Sequence, residues 1–264
     1  MIGIISDWLY EFWPFFGATL PRWLGAWLAT AFVLIFAFRA LKPRLRTRAL
    51  AFDSLMNRWA RSLRYKLQQA DAALEPNTPP SERVFLTWFF RFWTNFASAP
   101  SLSFFAFAIP IWFFHRCLKT NPIDYLDWQM RTRACFEMER VWLIPLFCYF
   151  GSMGLSYILK RVFKRVRPVR DKGAFGHSLR DASFPSGHSL TAFCFWMPMI
   201  GAVFLQTHHP GVIVAFAIIA ILIVALTGLS RFYMAVHWPS DVAGGFIIGA
   251  VWLTIFFLAF ANWF

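Results

Sequence analysis

The reading of the chain turns on three consecutive stretches: GVIVAFAIIAILIVALTGL (Gly211–Leu229), SRFYMAVHWPSD (Ser230–Asp241) and VAGGFIIGAVWLTIFFLAFANW (Val242–Trp263). A helix needs about 20 mostly apolar residues to cross a bilayer, and the first and third stretches each supply them. Charge is kept out of both runs and concentrated between them, where Arg231, His237 and Asp241 stand at fixed spacings. The middle stretch is therefore a polar turn held at a membrane surface.

Composition extends this reading to the whole chain. Of 264 residues, 58% are hydrophobic and 20% aromatic, which leaves too little polar surface for a soluble domain. The formal charge of +13 is a large basic surplus for so apolar a chain. In a membrane it suits anionic lipid head groups or a phosphorylated substrate, and nucleic acid is not expected. Trp and Tyr are expected at head-group level and Phe in the hydrocarbon. Cys117, Cys135, Cys148 and Cys194 show no metal-ligand or redox spacing, so neither a metal nor a disulfide is expected of them. Asp7, Glu11 and Pro14 interrupt the start of the chain, which reads as an interfacial lead-in and not as a cleaved signal.

Earlier runs complete an all-α, six-span bundle. Span one is Trp23 to Leu41, closed by Arg39, Lys42 and Pro43. Between Ala49 and Leu67, Phe52, Leu55, Met56, Trp59 and Leu63 recur at helical spacing, with Arg48, Arg58, Arg61, Arg64 and Lys66 on other faces. This predicts a basic amphipathic helix lying over an anionic bilayer surface or packed on the protein's own loops. PNTPPSE (Pro76–Glu82) breaks it as a linker. Val84 to Ala97 is short and carries Arg91, so it reads as interfacial. Span two is Leu102 to Cys117, a polar loop follows from His115 to Arg140, and span three is Val141 to Leu159. Spans four to six are Ser189–Leu205, Gly211–Leu229 and Val242–Trp263, the last with Gly245 and Gly249 at close-packing spacing. The organisation expected is an N-terminal part, 1–82, and a core, 83–264, within one structural domain. With six spans, the turns after the first, third and fifth share one face, and this face collects the polar clusters.

Each cluster suits a phosphate. Lys160 and Arg167 are seven apart on the end of span three and can point at one spot, a point charge beside a planar fork. They also read as a basic anchor for lipid head groups, as Arg161, Lys164 and Arg165 do. In FPSGHS (Phe184–Ser189) the amides of Ser186, Gly187 and His188 can face an anion at a helix start, and His188 can give a proton to a leaving alkoxide. An ordinary N-capped turn is the alternative. His237 and Asp241, four apart, allow the carboxylate to fix the imidazole tautomer, which makes the other nitrogen a nucleophile or base; a structural cap on span six is again the alternative. Together these supply a cationic cradle, an activated His and a second His as acid. With no carboxylate cluster for a metal, metal-independent phosphoryl transfer through a phosphohistidine is expected, without a cofactor.

Lys160–Pro168 (KRVFKRVRP), Pro185–His188 (PSGH) and Ser230–Asp241 together resemble the three-part signature of the type 2 phosphatidic acid phosphatase superfamily. The resemblance covers roughly residues 84 to 264. It implies His237 as nucleophile, Asp241 as its orienting partner and His188 as acid, with Lys160, Arg167, Ser186, Gly187 and Arg231 binding phosphate. It further implies an enzyme of a bacterial inner membrane acting on a lipid phosphate or diphosphate (phosphatidylglycerol phosphate, phosphatidate, polyprenyl diphosphate or lipid A). The same phosphohistidine would serve a lipid phosphotransferase, and a non-catalytic lipid-phosphate binder or transporter is the remaining alternative. His177, between the first two motifs, can shape the head-group entrance or lie in a solvated loop. The resemblance points to an extracytoplasmic site, whereas the basic stretch from Arg39 to Arg83 would turn the same face inward by the positive-inside rule.

Overall fold

A computed structural model describes residues 2–74, 85–120, 128–168, 182–234 and 236–261. Their regular elements are α1 (Ile2–Leu74), α2 (Phe85–Asn95), α3 (Ala99–Thr120), α4 (Trp128–Glu139), a 3₁₀ turn (Arg140–Leu143), α5 (Ile144–Phe163), α6 (Gly187–Gln206), α7 (Pro210–Tyr233) and α8 (Pro239–Ala259). Six segments are long and apolar enough to cross a membrane: Phe15–Ala40, Ala99–Thr120, Met130–Phe163, Gly187–Gln206, Pro210–Arg231 and Pro239–Ala259. The expected bundle is the one observed, and α2 stands where the interfacial segment was expected. The 76–82 linker, the 169–181 segment with His177, and the last residues of span six, 262 and 263, lie outside the described residues.

Three expectations fail. Pro43 does not end the first helix; α1 runs on from the lead-in through the span and the basic amphipathic stretch as 73 residues, roughly 110 Å at 1.5 Å per residue. Proline costs a helix interior about 3 kcal/mol, so tertiary contacts of the distal half must outweigh it. The polar stretch His115–Arg140 is also mostly helix, because α3 continues to Thr120 and α4 begins at Trp128. Finally, Cys117 and Cys135 are disulfide-bonded with Cα atoms 5.7 Å apart. α3 and α4 pack together and bring them into range, a proximity that their spacing in the chain does not encode.

α6 is the hub, touching α3, α5, α7 and α8, while α1 packs on α5 and α8. One core cluster joins α1, α5, α6 and α8 through Leu34, Leu155, Leu190, Trp252 and Phe256. A second joins α3, α5, α6 and α7 through Leu102, Tyr149, Phe195 and Ile223. Outward-facing Val214, Ile218, Ile221 and Leu222 of α7 and Leu24, Leu28, Phe32 and Phe36 of α1 are exposed, as a lipid-facing belt requires.

Burial in lipid yields no hydrophobic gain between helices, so close packing and polar bonds have to hold the bundle. Three indoles point into the bundle: Trp23 Nε1 donates to the Phe147 carbonyl at 3.0 Å, Trp27 Nε1 to Gly151 at 2.9 Å and Trp252 Nε1 to Cys148 at 2.9 Å. Interhelical bonds of this kind average about 0.6 kcal/mol each. Gly151 makes room for this arrangement, since a Cβ there would meet the Trp252 ring at 2.2 Å.

Gly245 sets the approach of α8 to the start of α6. A Cβ on it would lie 3.0 Å from the Ser186 carbonyl oxygen and 3.2 Å from the Leu190 nitrogen, neither of which can swing aside. Gly245→Ala is expected to cost about 1–3 kcal/mol by overpacking. Gly201→Ala, where an added Cβ meets nothing within 4 Å, should gain up to about 1 kcal/mol of helix propensity. Melting temperatures in detergent that fall for the first and hold or rise for the second confirm the close approach; equal melting temperatures contradict it.

Candidate active site

The ends of α5, α6, α7 and α8 meet on one face of the bundle. α5 ends at Phe163, and Lys164 takes a left-handed φ of 47° while its amide donates back to the Lys160 carbonyl at 3.0 Å. That turn sends residues 165–168 across the start of α8, where Trp238 Nε1 donates to the Val166 carbonyl at 2.9 Å. The 182–186 segment is fixed in turn by the Ser183 amide donating to the Arg165 carbonyl at 2.8 Å.

Asp241 is fully buried and lies in the first turn of α8. Its Oδ1 accepts from Arg165 Nη1 at 2.7 Å, and its Oδ2 accepts from the Trp238 amide at 2.8 Å and from the Ser183 hydroxyl. His237 Nδ1 faces the same Oδ2 at 3.6 Å and, among the described residues, has no closer polar partner. On its other side, His237 Nε2 stands 3.3 Å from Arg167 Nη1, which also donates to the Val236 carbonyl at 2.8 Å. A guanidinium can only donate, so Nε2 carries the lone pair and Nδ1 the proton directed at Asp241.

His188 opens α6 at the second helical position. With Lys160, Gly187, Ser156, Tyr157 and Thr191 it lines a cleft of about 530 Å³ between α5 and α6. Lys160, Arg167, Arg231 and His237 all lie near enough to act on its charge. The amides of Gly187 and His188 belong to the first turn of α6 and have no intrahelical acceptor. Ser186 differs from expectation: its amide donates to the Asp241 carbonyl at 3.0 Å and its hydroxyl accepts from Ser189 at 2.9 Å. Its amide therefore ties α6 to α8 and is not available to an anion. Arg231, 6% exposed at the end of α7, donates from Nη1 to Thr94 Oγ1 at 2.9 Å.

All eight candidate residues lie at one end of the bundle, but Ser186 and Arg165 make bonds other than those expected, and Asp53, Ser183 and Thr94 join them unexpected. Arg165 was expected to anchor lipid head groups; instead it bonds Asp241 and Ser240, at 2.7 and 2.6 Å, and pairs with Asp53. Arg161, by contrast, is exposed and stacks on Tyr157 at 3.9 Å. Ser183 and Thr94 gave no motif signal. Asp53 did leave one: it is the only acid between Arg39 and Lys66.

Residues 141–264 match the PAP2 superfamily. The chain is 39% identical over 128 residues to phosphatidylglycerophosphatase B of Bacillus subtilis (strain 168), an alignment covering 47% of this chain and 59% of that protein. It is 36% identical over 116 residues to lipid A 1-phosphatase of Rhizobium johnstonii, covering 41% and 43%. The chain therefore spans about half the length of these curated relatives. A crystal structure of a transmembrane PAP2-type phosphatidylglycerolphosphate phosphatase from Bacillus subtilis aligns with a TM-score of 0.48 at 24% identity, over 82% of this chain and 94% of that one.

Burial, joined by the charges of Arg167 and Arg231, holds His237 down to about 4 from an ordinary 6.5, against the opposing pull of Asp241. With its folded pKa depressed, the unfolded chain binds a proton that the folded one refuses, so stability falls as pH drops through 6.5 toward 4. Melting temperature should therefore decline more steeply between pH 6.5 and 4.5 for the native protein than for His237→Gln. Parallel declines would show that His237 titrates normally.

Proposed function

We propose, from the premise that residues 141–264 match the PAP2 superfamily, that this membrane protein is a phosphatase acting on lipid phosphates through a phosphohistidine, without a metal. One observation carries the reading: a buried imidazole whose Nε2 lone pair faces the Arg167 guanidinium while its Nδ1 faces Asp241. This is the arrangement a nitrogen nucleophile needs beside a phosphate-binding cation.

In the proposed cycle, Lys160, Arg167 and Arg231 hold the phosphoryl oxygens, with the Gly187 and His188 amides adding dipoles. His237 Nε2 attacks phosphorus in line as the bond to the leaving oxygen breaks, and His188 supplies the proton which that oxygen takes. The imidazolium formed at His237 is balanced by Asp241 through Nδ1–H; the 3.6 Å separation is of the kind that tightens once substrate is bound. Water then attacks the phosphohistidine, His188 takes its proton, the P–N bond breaks and inorganic phosphate leaves. The cleft supports a lipid as substrate, since Met153, Ala97 and Ala99 give it an apolar wall beside Lys160 and His188. Both curated relatives are named for phosphates borne on lipids.

Purified protein should release inorganic phosphate from one or more of phosphatidylglycerol phosphate, phosphatidate, polyprenyl diphosphate and lipid A phosphate with chelator present. His237→Ala should lower turnover by about 10⁴-fold or more, as loss of a covalent nucleophile does, and abolish the acid-labile phosphoenzyme. His188→Ala should be slow with poor leaving groups and partly rescued by good ones. Substantial turnover by His237→Ala would refute the covalent mechanism. Transfer of labelled phosphate to a second lipid in place of release would make the protein a phosphotransferase.

We assign the catalytic face to the extracytoplasmic side, as the family resemblance implies. A cysteine replacing Lys172 should then react with an impermeant maleimide on intact cells. Reaction only after permeabilisation would reverse the assignment. The surplus of Lys and Arg on this face and the Cys117–Cys135 disulfide on the other would be the physical reasons for that reversal.

A further inference from the structure

Asp53 lies on α1, beyond the end of the membrane span at Ala40 and outside residues 141–264. It is 3% exposed, in a stretch otherwise rich in Arg and Lys. A carboxylate so buried has to be compensated, and its partners are all at the candidate site. Its Oδ1 accepts from the Ser240 amide at 2.9 Å and its Oδ2 from the Ser240 hydroxyl at 2.8 Å and from Arg165 Nη2.

Two roles follow from these bonds. The first is to α8. Its N-cap is Trp238, which carries no side-chain oxygen, so the cap residue cannot serve the orphan amides of the first turn as Ser, Thr or Asp would. The carboxylate of Asp53, arriving from α1, serves the Ser240 amide in its place and sets negative charge at the positive end of the α8 dipole. The second role is electrostatic. The Arg165 guanidinium is shared, with Nη1 on Asp241 and Nη2 on Asp53. Asp53 thereby fixes the plane and position of the cation that Asp241 leans on, and limits how much of its charge Asp241 has to neutralise. A Lys at 165 would lack the fork that spans two carboxylates.

We infer that Asp53 is a positioning residue for the proposed reaction: through Arg165 and the first turn of α8 it sets the orientation and hydrogen-bonding strength of Asp241, and so of His237. The basic distal part of α1 is then part of the catalytic unit and not only a membrane-surface anchor. This inference rests on the phosphatase reading above.

The test compares purified full-length protein with Asp53→Asn, which keeps the shape and one acceptor oxygen but removes the charge. Arg58→Gln, an exposed position on the same helix, is the control. Steady-state kinetics on the lipid phosphate turned over by the native protein, and competitive inhibition by inorganic phosphate, are measured for each. Expected for Asp53→Asn is a fall in kcat of about 10–100-fold, by analogy with the range seen when the outer partner of a metal-ligating His is removed, with KM and the phosphate inhibition constant within about 3-fold of native. Arg58→Gln should match the native protein. Unchanged kcat in Asp53→Asn overturns the inference, as does loss of phosphate inhibition in step with turnover, which would mean a merely structural role. Where Asp53→Asn does not fold, Asp53→Glu, which keeps the charge on a longer arm, gives the same readout: lowered kcat with phosphate inhibition retained supports the inference, and native kcat overturns it. No phosphate release by the native protein itself would refute the phosphatase reading instead.

Discussion

A carboxylate with no exposed surface, Asp241, is the group around which the polar end of this bundle is arranged. Removing an ion of that size from water costs several kcal/mol even after relaxation, and the cost must be offset by partners in good geometry. Those partners come from different parts of the chain: Arg165 from the turn after α5, Ser183 from the segment before α6, and the Trp238 amide from the connection between α7 and α8. Satisfying one charge therefore draws three connecting segments together. The Asp241 backbone takes part as well, since its carbonyl receives the Ser186 amide and so anchors the start of α6.

The apolar part of the bundle presents the opposite problem, because nothing in lipid drives apolar helices to associate. The answer lies in small residues and in donors aimed at carbonyls. Gly151 admits the Trp252 ring, Gly245 admits the turn at Ser186, and Gly249 brings α8 against Phe193 and Cys194 of α6. Trp23 and Trp27, four apart on α1, match carbonyls four apart on α5, which fixes the register between the two helices.

Much of this was legible in the sequence because it is written in local terms. Apolar runs of spanning length fix the six helices, and short motifs mark Lys160, Arg167, His188, Arg231, His237 and Asp241. What escaped is encoded between distant residues. Arg165 and Asp53 are 112 positions apart, Ser183 and Asp241 are 58 apart, and Arg231 and Thr94 are 137 apart; no periodicity relates such pairs. Arg165 was misread because a basic residue at a helix end looks the same whether its partner is a lipid or a buried carboxylate. The continuation of α1 through Pro43 was misread for a related reason: proline is a local stop signal, and the contacts of Asp53 that hold the distal half in place are tertiary.

The electrostatics of the site also explain why an imidazole can remain neutral in a polar pocket at physiological pH. Burial opposes its protonation, Arg167 and Arg231 oppose it further, and Asp241 alone favours it. In the reaction proposed, a phosphate entering between the cations changes that balance. Its negative oxygens compete for the Arg167 fork, which in the free protein is bonded to the Val236 carbonyl and faces Nε2. Each guanidinium N–H that turns to a phosphate oxygen leaves the lone pair of Nε2 less engaged and the local field less positive. Binding of the anion thus raises the basicity of the nitrogen that attacks it, so the cations that hold His237 neutral in the free site also leave it ready to act once the anion is bound.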